Sequence, residues 1–154
     1  MKTKTIVSTL ALCFLAATFC FASNPQIGTW TLNEAKSKFP AMAGKNTKVV
    51  YEEMGDKVKV TVDGVDAEGK PVHEEWTGMF DGQDYPLTGD MGSDTRAYKK
   101  INDRTLELTQ KKADKVTATG KIVVSADGKT RTVTIHSTDS KGKKVSYTAV
   151  YDKQ

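Results

Sequence analysis

From Ile27 onward, apolar and polar residues alternate one by one in short runs, and this period of two limits the fold more than any other feature. Helical periodicity is almost absent. Ile27–Leu32 reads as a first strand, with Trp30 and Leu32 on one face. Glu34 to Lys38 suits one helical turn, stopped by Phe39-Pro40. Val49-Val50-Tyr51 leads through Met54-Gly55-Asp56 to Val58, Val60 and Val62. Asp63-Gly64 and Glu68-Gly69-Lys70-Pro71 are turn signals before a strand from Val72 to Phe80. Asp81 to Asp94 reads as the longest irregular stretch. Arg96–Ile101 pairs with Thr105–Gln110 across Asn102-Asp103. Val116–Val124 pairs with Thr132–Thr138 across Asp127-Gly128, and Val145–Tyr151 comes last. Eight to ten short strands joined by tight turns predict an all-β sandwich or an antiparallel barrel.

The first 22 residues stand apart from this pattern. Lys2 and Lys4 precede a mostly apolar run from Ile6 to Phe21, and Ala22 supplies a small residue before Ser23-Asn24-Pro25. That layout is a secretory signal peptide. The run is shorter than the roughly 20 residues a spanning helix needs, so no membrane anchor is expected after cleavage. The expectation is residues 1–22 as signal, residues 23–154 as one barrel domain, and a periplasmic or secreted location. Cys13 and Cys20 both fall inside the signal, so the mature chain has no disulfide and relies on its core. Loss of Lys2 and Lys4 takes the formal charge from +4 to +2. The remaining lysines are scattered among acids, a pattern of a solvated surface and not of a nucleic-acid patch.

The chain also echoes itself. Val60-Thr61-Val62, Asp66, Gly69-Lys70 and Val72 recur as Val133-Thr134-Ile135, Asp139, Gly142-Lys143 and Val145, always 73 residues on. With a gap of two, Trp76 to Asp81 then matches Tyr147 to Asp152. The echo predicts a pseudo-two-fold repeat in the sheet, without predicting a function.

Gly28-Thr29-Trp30 resembles the Gly-x-Trp opening of the lipocalins and fatty-acid-binding proteins, the calycin group. Val150-Tyr151-Asp152-Lys153-Gln154 is similar to the last strand of the fatty-acid-binding branch. Gly28 to Phe39, Asp63-Gly64 with Gly69-Lys70-Pro71-Val72, and Asp81 to Asp90 resemble small exported bacterial proteins described as lipocalin-like, of uncharacterised function. The resemblance implies an up-and-down antiparallel barrel with an internal cavity and a binding role. It does not bring a fatty-acid clamp. The branch carries an Arg-x-Tyr pair in its last strand, and here Ala149 stands two residues before Tyr151. Nor does Asn33 to Asn46 have room for a two-helix lid.

In a closed barrel alternate residues face the lumen. The expected apolar face includes Trp30, Val60, Trp76, Leu108, Val116, Ile122 and Ile135. Trp30 is expected to plug the closed end, and Trp76, at mid-strand, to face the lumen. Polar residues sharing that face are the candidates for chemistry. Glu74 lies between Val72 and Trp76, Arg96 and Tyr98 share one face, and Arg131 lies two before Val133. A charge inside a barrel is costly unless it is paired or meets a ligand. On one reading Glu74 pairs with an arginine. On another, Arg96 or Arg131 with tyrosine hydroxyls anchors an anionic ligand head. On a third these charges sit at strand ends or outside, and Arg131, directly after a turn, suits that best. The candidate ligand residues are thus Glu74, Trp76, Arg96, Tyr98, Arg131, Tyr147 and Tyr151.

His73 and His136 have the opposite parity and read as solvent-facing. No cysteine or second histidine stands at metal-ligand spacing, and Asp81, Asp84, Asp90 and Asp94 read as turn formers. Neither a nucleophile elbow nor a phosphate loop is present, so no enzyme, metal or cofactor is expected. The function expected is a monomeric, non-enzymatic barrel holding an apolar or amphipathic small molecule. The alternative is a solidly packed barrel whose outside binds a protein or surface partner. Lumen volume separates the two, a ligand pocket measuring roughly 300 Å³ or more.

Overall fold

The structure is a computed structural model, and it describes residues 24–40, 43–89, 92–138 and 142–154. The signal-type segment, both cysteines, Asp90 and Asp139 lie outside the described residues. Ten strands form one closed antiparallel barrel in which every strand pairs with its neighbours in sequence, and β1 closes onto β10. They are β1 (Gly28–Leu32), β2 (Lys45–Met54), β3 (Lys57–Val65), β4 (Pro71–Gly78), β5 (Tyr85–Gly89), β6 (Thr95–Asn102), β7 (Thr105–Lys112), β8 (Lys115–Val124), β9 (Thr130–Thr138) and β10 (Lys144–Lys153). Closure removes the unpaired edges that an open sheet of this kind would expose. Among the described residues the one helical turn is a 3₁₀ segment at Glu34–Lys36, capped by the Asn33 side chain accepting from the Lys36 amide at 3.2 Å. Among the described residues no helix is long and apolar enough to cross a membrane.

Period two does set the faces. Along β3, Val58, Val60 and Val62 are buried, and along β9 Arg131, Val133 and Ile135 are. The stretch read as irregular between Asp81 and Asp94 nevertheless contains β5. This strand pairs only briefly with β6, through Tyr85↔Arg96 and Pro86↔Thr95, so Pro86 and the flanking glycines hid it. Three of the aspartates around it do tie the loop down. Asp81 accepts from the Gln83 amide (2.9 Å) and the Tyr85 hydroxyl (2.9 Å), Asp84 pairs with Lys111 (2.5 Å), and Asp94 accepts from the Ala113 amide (2.8 Å). Asp63-Gly64 is likewise not a turn. It lies inside β3, and the bend comes at Asp66, whose side chain accepts from the Lys70 amide at 2.8 Å. Gly64 instead lets the Lys45 and Asn46 backbone approach, where β2 bulges between Asn46 and Lys48. Val116, expected inside, is 58% exposed. A register shift between Gln110 and Lys111 ends the regular ladder there and leaves Val116 at the rim.

The sequence echo has a structural counterpart in one hairpin pair. Val60 faces Trp76 and Val62 faces Glu74 across β3–β4, while Val133 faces Ala149 and Ile135 faces Tyr147 across β9–β10. Shifting the first hairpin by 73 residues reproduces the second with no gap, so Ala149, not Tyr147, stands where Trp76 does. Across β2–β3 and β8–β9 the correspondence slips by two, since Val49 faces Val62 but Ile122 faces Val133.

Trp30 closes one end. It is fully buried, and its indole Nε1 donates to the Gln26 carbonyl at 2.9 Å. Gln26 is itself buried and donates from Nε2 to the Arg104 carbonyl at 3.3 Å, so residues 24–27 cross the base of the barrel.

His73 and His136 are exposed, as their parity requires. His73 Nδ1 lies 2.7 Å from Asp63 and Nε2 lies 3.8 Å from Glu75. The hydrogen bond with Asp63 raises the imidazole pKa, slight burial opposes it, and the charges of Asp63 and Glu75 add to the rise. A raised folded-state value means that the charged ring adds stability fully below the ordinary pKa of about 6.5. That stability is lost as pH climbs through the folded value. An NMR titration should give His73 a midpoint above about 6.5, and Asp63→Asn should bring it down. An unchanged midpoint in Asp63→Asn would remove this account.

Candidate ligand-binding site

The lumen is not filled by side chains. A cavity of about 200 Å³ lies between β2, β3, β6, β7, β8, β9 and β10. It is smaller than the roughly 300 Å³ expected of a pocket for a drug-sized ligand. The difference has an identifiable cause. Trp76, Phe80, Tyr85 and Tyr98 form one aromatic cluster against the β4–β6 wall, with the Trp76 and Tyr98 rings edge to face at 4.8 Å. Gly78 leaves room for it, since a Cβ there would strike the Tyr85 and Trp76 rings. Trp76 is therefore core and does not line the cavity. Its Nε1 donates to the Arg96 carbonyl at 2.8 Å and braces the strand carrying that arginine.

Five of the seven candidate residues do line the cavity: Arg96, Tyr98, Arg131, Tyr147 and Tyr151. Glu74 stands behind Arg96. The two are brought together through β4, β5 and β6, and Arg96 Nη2 meets Glu74 Oε2 at 2.6 Å with both side chains buried. Glu74 Oε1 is buried without a partner. Gln110 completes the cluster when its amide oxygen faces the guanidinium, accepting from Arg96 Nε at 3.1 Å and from Nη2. Burial opposes the charge on Arg96, but the carboxylate of Glu74 favours it, and the net direction of its pKa is upward. Arg96 and Glu74 thus form a neutral, hydrogen-bonded pair.

Arg131 has no such partner. It is 3% exposed, and its Nε and Nη1 are buried with no hydrogen bond. The turn before it does not put it in solvent, because Trp30 and residues 24–27 cover that end. Its guanidinium lies over the rings of Tyr51 (4.6 Å), Tyr151 (5.3 Å) and Trp30 (5.5 Å). Lys153 covers the Trp30 ring as well, at 5.1 Å. The phenols of Tyr98, Tyr151 and Tyr147 are held protonated. Burial leads in pushing Tyr98, Tyr151 and Tyr147 up, and the nearby arginine charges only partly oppose it.

No protein-family profile matches the chain, and no curated protein does. Among solved structures it is similar to a redesigned β-barrel, mFAP1, bound to DFHBI, at 16% identity and a TM-score of 0.47, covering 84% of this chain and 95% of that one. It is also similar to EF1p2_mFAP2b bound to DFHBI, at 11% identity and a TM-score of 0.48, covering 86% and 97%. At these identities and TM-scores neither likeness bears on the architecture or on what this lumen holds.

The sequence candidates missed further polar and aromatic cavity residues, Asn46, Tyr51, Gln110 and Ser137. Tyr51 carries one face of the Arg131 cage, and its hydroxyl lies 3.5 Å from that of Tyr98. Its signal was parity with Val49, and that of Gln110 was parity with Leu106 and Leu108. Among the described residues no group of three His, Cys, Asp or Glu side chains could hold a metal. Among the described residues the cavity thus offers apolar walls, tyrosine hydroxyls and one cation, Arg131, without an ion-pair partner.

Proposed function

We propose that this chain is an exported, non-catalytic barrel that holds a small amphipathic molecule in its lumen. One observation carries the reading: an unfilled cavity of about 200 Å³ mixes apolar walls such as Val49, Val133 and Ile135 with a few convergent polar groups. Its size favours a ligand below drug size. Export rests on the signal-type layout of residues 1–22, and a lipocalin-like kinship on the resemblance of Gly28-Thr29-Trp30 and the last strand.

The test fills the cavity. Ala149 is buried and lines it, so Ala149→Phe puts a ring where the ligand would sit. A panel of small amphipathic compounds is screened by thermal shift against both proteins. A ligand at 100 times its Kd stabilises the parent by about 2.7 kcal/mol, several degrees in Tm. The variant should keep its β-sheet circular dichroism and lose that shift. Equal shifts in a folded variant would place binding outside the lumen.

A further inference from the structure

The buried charges of the lumen do not balance. Among the described residues, the charged side chains buried in the structure are Glu74, Arg96 and Arg131. Glu74 and Arg96 neutralise each other at 2.6 Å, which leaves the positive charge of Arg131 over. Arginine does not discharge at any working pH, so the protein cannot relieve the cost by losing a proton. A tyrosinate could supply the missing negative charge. Burial holds the phenol of Tyr151 in its protonated form, however, despite the arginine beside it. Gln26, at the base, is neutral.

The three aromatic rings around Arg131 favour its charge through their faces. They leave a separate need unmet. Guanidinium N–H groups point outward in the plane of the group and seek oxygen acceptors there. Two of the nitrogens, Nε and Nη1, find none. A buried charged donor without an acceptor is costly, so the arrangement favours any oxygen that can reach the guanidinium. An anion in the adjoining cavity, which Arg131 lines, would balance the charge and offer oxygens to the guanidinium.

We infer that the lumen takes a small organic monoanion, a carboxylate on a short apolar body, with its charged group toward Arg131 at the closed end of the barrel. This rests on the lumen-binding reading above and names its ligand class. A single surplus charge suits one negative charge better than the two of a phosphate monoester. The cavity of about 200 Å³ excludes a long acyl chain lying wholly inside. The clamp is not the last-strand pair of the fatty-acid-binding proteins. Arg131 lies on β9, directly across from Tyr151 on β10.

The experiment compares acids with their uncharged amides of the same shape, using benzoate with benzamide and indole-3-carboxylate with its amide. Calorimetric titrations are run on the full mature chain and on Arg131→Met. The parent should bind at least one acid tenfold or more tighter than its amide. Arg131→Met should lose that preference. Equal binding of acid and amide by the parent, or an acid preference that survives in Arg131→Met, would overturn the anion assignment and leave lumen binding standing. Failure of the parent to bind either member of both pairs would overturn the assignment and the lumen reading together. The parent comparison decides the matter even if the variant does not fold.

Discussion

Glu74→Leu is expected to cost roughly 3–5 kcal/mol of stability, the cost of breaking a buried ion pair by removing one partner. The loss is not chiefly that of the carboxylate's contacts. It comes from Arg96, which is 4% exposed and would keep its charge with only the Gln110 amide and the Tyr98 ring for company. Such a cost is a large share of the roughly 5–15 kcal/mol that a domain has in total. The double variant Glu74→Leu with Arg96→Met should recover most of it, because replacing both members of a buried pair by apolar groups of similar volume is often neutral. Urea unfolding with linear extrapolation measures all three proteins. A double variant as unstable as the single one would show that Glu74 contributes packing and not charge balance.

Trp30→Ala is expected to cost about 3–5 kcal/mol by a different route. The indole is fully buried at the base, and its loss opens a void beneath the Arg131 cage. It also strips the Gln26 carbonyl of its 2.9 Å donor and removes the ring that Lys153 covers. Trp30→Phe keeps an aromatic face for Arg131 but not the hydrogen bond, and should lose about 1 kcal/mol for that bond together with a smaller packing loss. Equilibrium unfolding of both variants decides between the two contributions. If Trp30→Phe is as damaging as Trp30→Ala, the anchoring of residues 24–27 matters more than filling the base.

Much of this architecture was legible in residue order. Alternation in stretches such as Val58 to Val62 gives strands, and up-and-down pairing follows from tight turns such as the one read at Asn102-Asp103, which lies one residue on, at Asp103-Arg104. Trp30 at the start of the first strand reads as a plug and is one. The candidate site was legible in part. Parity with the apolar face correctly marked Glu74, Arg96, Tyr98 and Arg131 as inward, because the pleat alone decides the face. Parity does not say how deep a residue lies. Arg131 follows a turn, and only closure by Trp30 and Gln26, distant in sequence, makes that strand end dry. Nor does it show partners across the barrel. Glu74 and Arg96 are 22 residues apart and meet because β5, hidden by Pro86, completes the wall between them. Trp76 illustrates the same limit. Its face was right, yet neighbouring rings absorb it into the core and leave the cavity to Tyr51.

The most direct test of a lumen ligand is native mass spectrometry of the mature protein purified gently from the cells that make it. The expected result is a fraction of the protein carrying one retained small molecule, released on denaturation and absent from Ala149→Phe. A bare protein mass throughout, together with no thermal shift across the amphipathic panel, would contradict it.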